Sequence, residues 1–211
     1  MSTGSVEMGE VHKPATGAGA LAEEQACRRG AYQLLAGLLR SPPDQALLDR
    51  LARMGEGTEG GDDMAVSLAL LGLAARNSRV EGVDDEFHEL FIGLGRGELV
   101  PYGSWYLTGF LMERPLSLLR DELAALGYQR QADIREPEDH VAALCEVMGL
   151  LIDERRPLSV QEAFFGAHLA GWAGRFFDDL AHARAAVFYR AVGRLGLAFT
   201  ALELRYLHLP G

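Results

Sequence analysis

Apolar positions in this chain recur at steps of three and four along most of its length, the period of a helix that buries one face. The pattern is clearest near the C-terminus. Phe165, His168, Leu169, Trp172, Phe176 and Leu180 form one stripe and predict a helix over about 159–182. Phe188, Val192, Leu195, Phe199, Leu202 and Tyr206 form a second and predict a helix over about 184–207. Nearer the N-terminus a helix over about 21–40 ends before Ser41-Pro42-Pro43, and another follows over about 43–54. Further helices are predicted over 62–79, 83–92, 104–112 (a short one), from Pro115 to Gly127, and over 137–154. The segments GEGTEGG (55–61) and GLGRGELVPYGS (93–104) hold too much Gly and Pro for regular structure, and 128–135 is a polar connection. Residues 1–20, rich in Gly, Ala, Ser and Thr without any period, read as a disordered tail. Residues 21–211 read as one all-α domain of eight or nine helices.

Composition supports that class. Leu occurs 34 times, whereas Val, Ile and Thr together occur 19 times, which favours helices over strands. Asp plus Glu number 30 against 20 Lys plus Arg, a formal charge of −10. That balance excludes a general nucleic-acid binder, which needs a basic footprint, and suits a cationic peptide partner. The two cysteines, Cys27 and Cys145, lie far apart with no Cys-x-x-Cys pair, so neither a disulfide framework nor a structural zinc site is expected. The longest apolar run, Ala65–Ala75, contains Ser67 and Gly72 and stops at Arg76, too short to span a membrane. Arg28-Arg29 ahead of Ala31–Leu39 imitates an export leader, but Gln33 interrupts the run and Arg40 ends it, so it reads as a core helix. A cytoplasmic protein is the expectation.

Motifs of chemistry are sparse. Di-iron bundles need Glu-x-x-His pairs, and the nearest substitutes are Asp85-x-x-His88 and Asp179-x-x-His182. Gly93–Gly97 lacks the spacing of a phosphate loop, Ser104 sits in no nucleophile elbow, and Cys145 lies in an apolar run. No catalytic residue, metal or cofactor is expected. Asp139 beside His140 leaves one alternative open, a helical metal-dependent hydrolase using that pair. A structural scaffold is another.

Two segments point to peptide recognition. Phe87, Leu90 and Phe91 share a helical face that leads into the irregular loop and then to Pro101, Tyr102, Ser104, Trp105 and Tyr106. Apolar rings with polar tips beside a Gly/Pro loop suit a groove. Glu136-Pro137-Glu138-Asp139-His140 places acids around a proline that opens a helix at 137, complementing the positive end of its dipole. Glu138 and Asp139 are the candidates to meet cationic side chains.

The order Phe87-x-x-Leu90-Phe91, Pro101-Tyr102-x-Ser104-x-Tyr106 and Glu136-Pro137-Glu138-Asp139-His140 resembles the TorD/DmsD family of redox-enzyme maturation chaperones. Gln161, Phe164, His168, Trp172, Phe176 and Phe188-Tyr189 continue the likeness, which spans about 30–207. The resemblance implies an all-α cytoplasmic protein, not an enzyme. It would bind the twin-arginine signal peptide and apo form of a molybdenum-cofactor oxidoreductase until the cofactor is inserted. It also implies binding roles for Phe87, Leu90, Phe91, Pro101, Tyr102, Ser104, Glu136, Pro137, Asp139 and His140. Many relatives carry an acid four residues after the His, where this chain has Leu144; Glu146 is the next acid and, on a continuous helix, can share a face with Asp139. That departure leaves the client open, including a nitrate-reductase-type subunit that is not exported. Monomer and dimer are both compatible with the chain.

Overall fold

The last helix, α10 (Phe188–Leu207), is the hub, with buried residues on several sides from Phe188 to Leu207. The computed structural model describes residues 17–54, 61–93, 97–130 and 136–207. Before α10 come α1 (Gly17–Arg40), α2 (Gln45–Met54), α3 (Asp63–Arg76), α4 (Val80–Phe87), α5 (Gly103–Thr108), α6 (Arg114–Leu126), α7 (Val141–Asp153), α8 (Leu158–His168) and α9 (Ala173–His182). A π-helical turn, His88–Ile92, extends α4. α10 packs chiefly on α9 and α3, α1 on α7, and α2 on α3. The fold is all-α and a single domain.

Close approach of α9 and α10 depends on two glycines. A Cβ at Gly196 would lie 2.1 Å from the Phe177 ring, and one at Gly193 2.5 Å from the Ala181 backbone nitrogen. Phe176, Phe177, Leu180, Phe188 and Leu195 are buried in the resulting interface. Full burial of such side chains contributes about 1.5–3 kcal/mol each.

Inside this apolar body lies an ion pair. Arg28 donates from Nε and Nη2 to both Glu203 oxygens, at 2.6 and 2.7 Å, and Tyr32 donates its hydroxyl to Glu203 at 2.7 Å. Gln25 and Gln161 accept from Arg28 Nη1 at 2.9 and 2.8 Å. The Tyr206 ring stacks on the guanidinium, its centroid 4.4 Å from Cζ. Burial opposes the charge on Arg28, but the bond to Glu203 more than restores it and its pKa rises. The network joins α1, α8 and α10. Arg28 of the leader-like Arg28-Arg29 pair is thus consumed by the core.

Several predicted boundaries shift. Residues 159–182 are not one helix. After His168 the chain turns through Leu169–Trp172, where the Trp172 indole N–H donates to the His168 carbonyl at 2.6 Å. The stripe runs across this break because both halves bury the same side of the chain. The helix expected from Pro137 begins at Val141, with His140 as its N-cap. The one expected from 184 begins at Phe188: Glu98 accepts the amides of Arg184 and Ala185 ahead of the helix, and Glu86 caps its start by accepting those of Val187, Phe188 and Tyr189. The turn expected to reach 112 stops at Thr108, where Gly109 takes φ +82°. α3 ends at Arg76, short of the expected 79, while α4 starts at Val80, three residues earlier than expected. α1 starts at Gly17, inside the stretch read as a tail, and residues 1–16 and 55–60 lie outside the described residues.

Candidate peptide-binding site

The two motif segments meet. Tyr102 and His140 form an isolated antiparallel bridge. Gly103 donates its amide to the Asp139 carbonyl and Val141 its amide to the Pro101 carbonyl, both at 2.9 Å. The Tyr102 and His140 rings stand edge to face with centroids 5.0 Å apart. Asp139 then supplies what α5 lacks locally: its Oδ2 accepts the Ser104 amide at 2.8 Å, capping a helix from 35 residues away. His140 Nδ1 accepts the Ala142 amide at 3.1 Å and caps α7. An accepting Nδ1 requires a ring unprotonated there. Burial, helped by the nearby Arg40 charge, pushes the His140 pKa down to about 4. Burial and the charges of Glu136 and Asp139 raise the Tyr102 pKa to about 12.

At the end of α4 and in the π-turn, Phe87 and Leu90 are buried and Phe91 is half-buried. Phe87 and Phe91 pack on each other (5.0 Å) and on Tyr189 (5.8 and 5.5 Å). The π-turn carbonyls of Glu89 and Leu90 accept the amides of Glu98 and Leu99. Gly97 lies so close to that turn that a Cβ would sit 2.5 Å from the Leu90 oxygen. The aromatic stripe therefore supports the floor of the loop carrying Pro101 and Tyr102. Pro101 and Ser104 are buried, and Trp105 is half-buried.

The 136–140 segment separates two clefts. One, of about 280 Å³, is walled by Arg40, Leu123, Tyr128, Pro137, Val147 and Leu150 and rimmed by Glu136, Glu138 and Glu146. Two of these carboxylates, Glu138 and Glu146, already have arginines. Arg120 donates to Glu138 at 2.9 Å and Arg130 stands at 3.6 Å; burial works against the Glu138 charge, but these guanidiniums hold its pKa below the usual range. Arg40 grips Glu146 through two bonds at 2.7 and 2.6 Å. Glu136 is exposed.

The second cleft, of about 370 Å³, is lined by Leu107, Leu118, Leu119, Leu144 and Trp172, with Asp139 and the His168–Glu122 pair (2.7 Å) as its polar groups. Asp139 is 3% exposed, and among the described residues its Oδ1, like Ser104 Oγ, has no hydrogen-bond partner. A buried carboxylate oxygen without a donor is costly, so a guanidinium or hydroxyl brought there gains more than on an open surface. Glu146 does not share a face with Asp139: the two line different clefts, because Asp139 precedes the helix. Nor do Asp139 and His140 form a dyad: Asp139 Oδ2 and His140 Nδ1 accept different backbone amides, and among the described residues no hydrogen bond joins the two side chains. Among the described residues no cluster of three His, Cys, Asp or Glu could hold a metal ion.

Sequence reasoning missed the second cleft. His168 and Trp172 were legible as members of a core stripe and as part of the family likeness, neither of which placed them at a cleft with Asp139. Gly103, whose absent Cβ would lie 3.1 Å from the Trp172 indole, gave no signal of its own.

A family model described as nitrate reductase delta subunit matches residues 59–178. The chain belongs to that family, the TorD family. Curated relatives include the chaperone protein TorD of Aliivibrio fischeri, 29% identical over 134 residues, 58% of this chain. The TorD protein of Actinobacillus pleuropneumoniae is 29% identical over 182 residues, 82% of this chain and 90% of that one. The chain spans 62% of the length of the Aliivibrio relatives. A redox enzyme maturation protein from Archaeoglobus fulgidus has the same fold, with a TM-score of 0.53 at 18% identity, covering 82% of this chain and 93% of its own.

Proposed function

We propose that this chain is a cytoplasmic chaperone that binds the twin-arginine leader and the apo form of a molybdenum-cofactor oxidoreductase before export. Relatives named as chaperones support the chaperone class. One observation carries the leader reading: Asp139 is buried at an apolar cleft with one carboxylate oxygen unpartnered among the described residues. A leader offers guanidiniums ahead of an apolar run, and the cleft offers a carboxylate beside Leu107, Leu118 and Trp172. Glu138 and Glu146 are second choices for the arginines, since each must first release one of the chain's own.

A charge-assisted hydrogen bond contributes about 1.5–3 kcal/mol and each buried leucine of the leader a similar amount. After losses of chain and rigid-body freedom, a micromolar complex, about −8 kcal/mol, is expected. Titration of a twin-arginine leader peptide and a twin-lysine control tests the proposal. Lysine lacks the planar fork by which a guanidinium can reach Asp139 Oδ1 and a neighbouring acceptor together and is harder to desolvate, so it should bind several-fold more weakly. Binding of neither peptide at low salt would sink the idea.

The family model's nitrate reductase description favours a second reading, a client subunit retained in the cytoplasm without a leader. Recovery of such a subunit in a native pull-down, with no leader binding, would decide for it.

A further inference from the structure

Solvent-facing apolar side chains gather along one side of α3. Val66, Leu70 and Leu73 fall on a single stripe, Val66 and Leu73 each 49% exposed. α10 packs alongside. Between the two helices runs a groove floored by Leu70, Leu73 and Ala191, with Val187 at one end and Arg190 and Arg194 on its rim. Val187 is 75% exposed. None of these residues lines either cleft described above.

The local charge is opposite to that of the molecule. The lining of the groove carries Arg190 and Arg194 and no Asp or Glu, in a chain of net charge −10. Arg190 and Arg194 lie one helical turn apart and are exposed, and among the described residues neither has an ion-pair partner.

We infer that the α3–α10 groove docks an acidic amphipathic helix of a partner protein, its leucines on Leu70 and Leu73 and its carboxylates on Arg190 and Arg194. Carboxylates four residues apart on such a helix are offset by about 6 Å along its axis, as the two arginines are on α10. An anionic bilayer fits less well. The net charge of −10 repels it, and the apolar floor lies between two helices instead of projecting.

This site is independent of the leader reading, and its test keeps the two apart. A fluorescently labelled amphipathic peptide, leucine on one face and glutamate on the other, is titrated against the full chain by anisotropy. The wild type should bind it with a steep loss of affinity as salt rises. The paired substitution Arg190→Glu and Arg194→Glu should weaken binding at least about tenfold, and Leu73→Gln about fivefold. A leucine–lysine counterpart, drawn if anywhere to the acidic clefts, should respond to neither substitution. Unchanged near-ultraviolet circular dichroism confirms folding of these surface variants. No binding of the glutamate peptide at low salt, or equal binding by the doubly substituted chain, overturns the inference. So does arginine-dependent binding to phosphatidylglycerol vesicles without peptide binding.

Discussion

Asp139 and Ser104, 35 residues apart, share one hydrogen bond at 2.8 Å, from the Ser104 amide to the Asp139 carboxylate. That bond caps α5, and among the described residues Asp139 Oδ1 stays unpartnered at the second cleft. Under the proposed leader reading, one side chain then has a structural half and a recognition half.

The two halves can be separated. Asp139→Asn keeps an oxygen for the Ser104 amide but removes the charge, so stability should change by less than about 1 kcal/mol while leader affinity falls about tenfold. Asp139→Ala should lose both, with about 1–2 kcal/mol of stability gone. Urea unfolding and peptide titration on the same variants check this. Equal loss of leader binding and stability in both would make the residue structural only.

His140 should give stability a dependence on pH. Its pKa falls from an ordinary 6.5 to about 4 on folding, so between those values the unfolded chain binds the extra proton. Its contribution is whole above about pH 6.5, declines as pH falls toward 4, and is constant below. The full span is about 3 kcal/mol. His140→Asn retains a capping oxygen without the titration. Between pH 7 and pH 4.5 the wild type should therefore lose about 2–3 kcal/mol more than the variant in denaturant unfolding.

Breaking the buried Arg28–Glu203 pair from one side should be severe. Glu203→Ala leaves a guanidinium and the Tyr32 hydroxyl without an acceptor, costing about 3–5 kcal/mol. The paired change Arg28→Met and Glu203→Leu should cost clearly less than the sum of its single steps. A double-mutant cycle by guanidinium unfolding measures the difference.

Glycines in helices should divide by what faces them. Gly193→Ala and Gly196→Ala press a methyl against Ala181 or Phe177 and should each cost about 1–3 kcal/mol or more. Gly30→Ala in α1 meets nothing within 4 Å and should stabilise by about 0.5–1 kcal/mol. Thermal unfolding of the three variants checks the order.

The stripes at 165–180 and 188–206 were readable because a helix face is a local property of the sequence. Phe165, His168, Leu169, Trp172, Phe176 and Leu180 are all buried in the structure. The break at Leu169–Trp172 was not readable, since a turn that buries the same side leaves the period almost intact. Pro137 misled for a related reason: an acid-rich proline segment resembles a helix start, but its carbonyls and carboxylates were committed to α5 and to Arg120, partners distant in sequence. The leader-like Arg28-Arg29 also needed Glu203, 175 residues away, before half of it could be assigned to the core.

Helix content, an acidic surface and the presence of two unusual segments came from the sequence alone, because periodicity, charge and local composition do not depend on which elements become neighbours. Only the tertiary structure decided that Tyr102 would pair with His140, that Glu138 and Glu146 would face the chain's own arginines, and that Asp139 would keep one oxygen unpartnered. Those outcomes depend on long-range contacts, and a carboxylate's environment follows from whichever donors folding brings within hydrogen-bond reach.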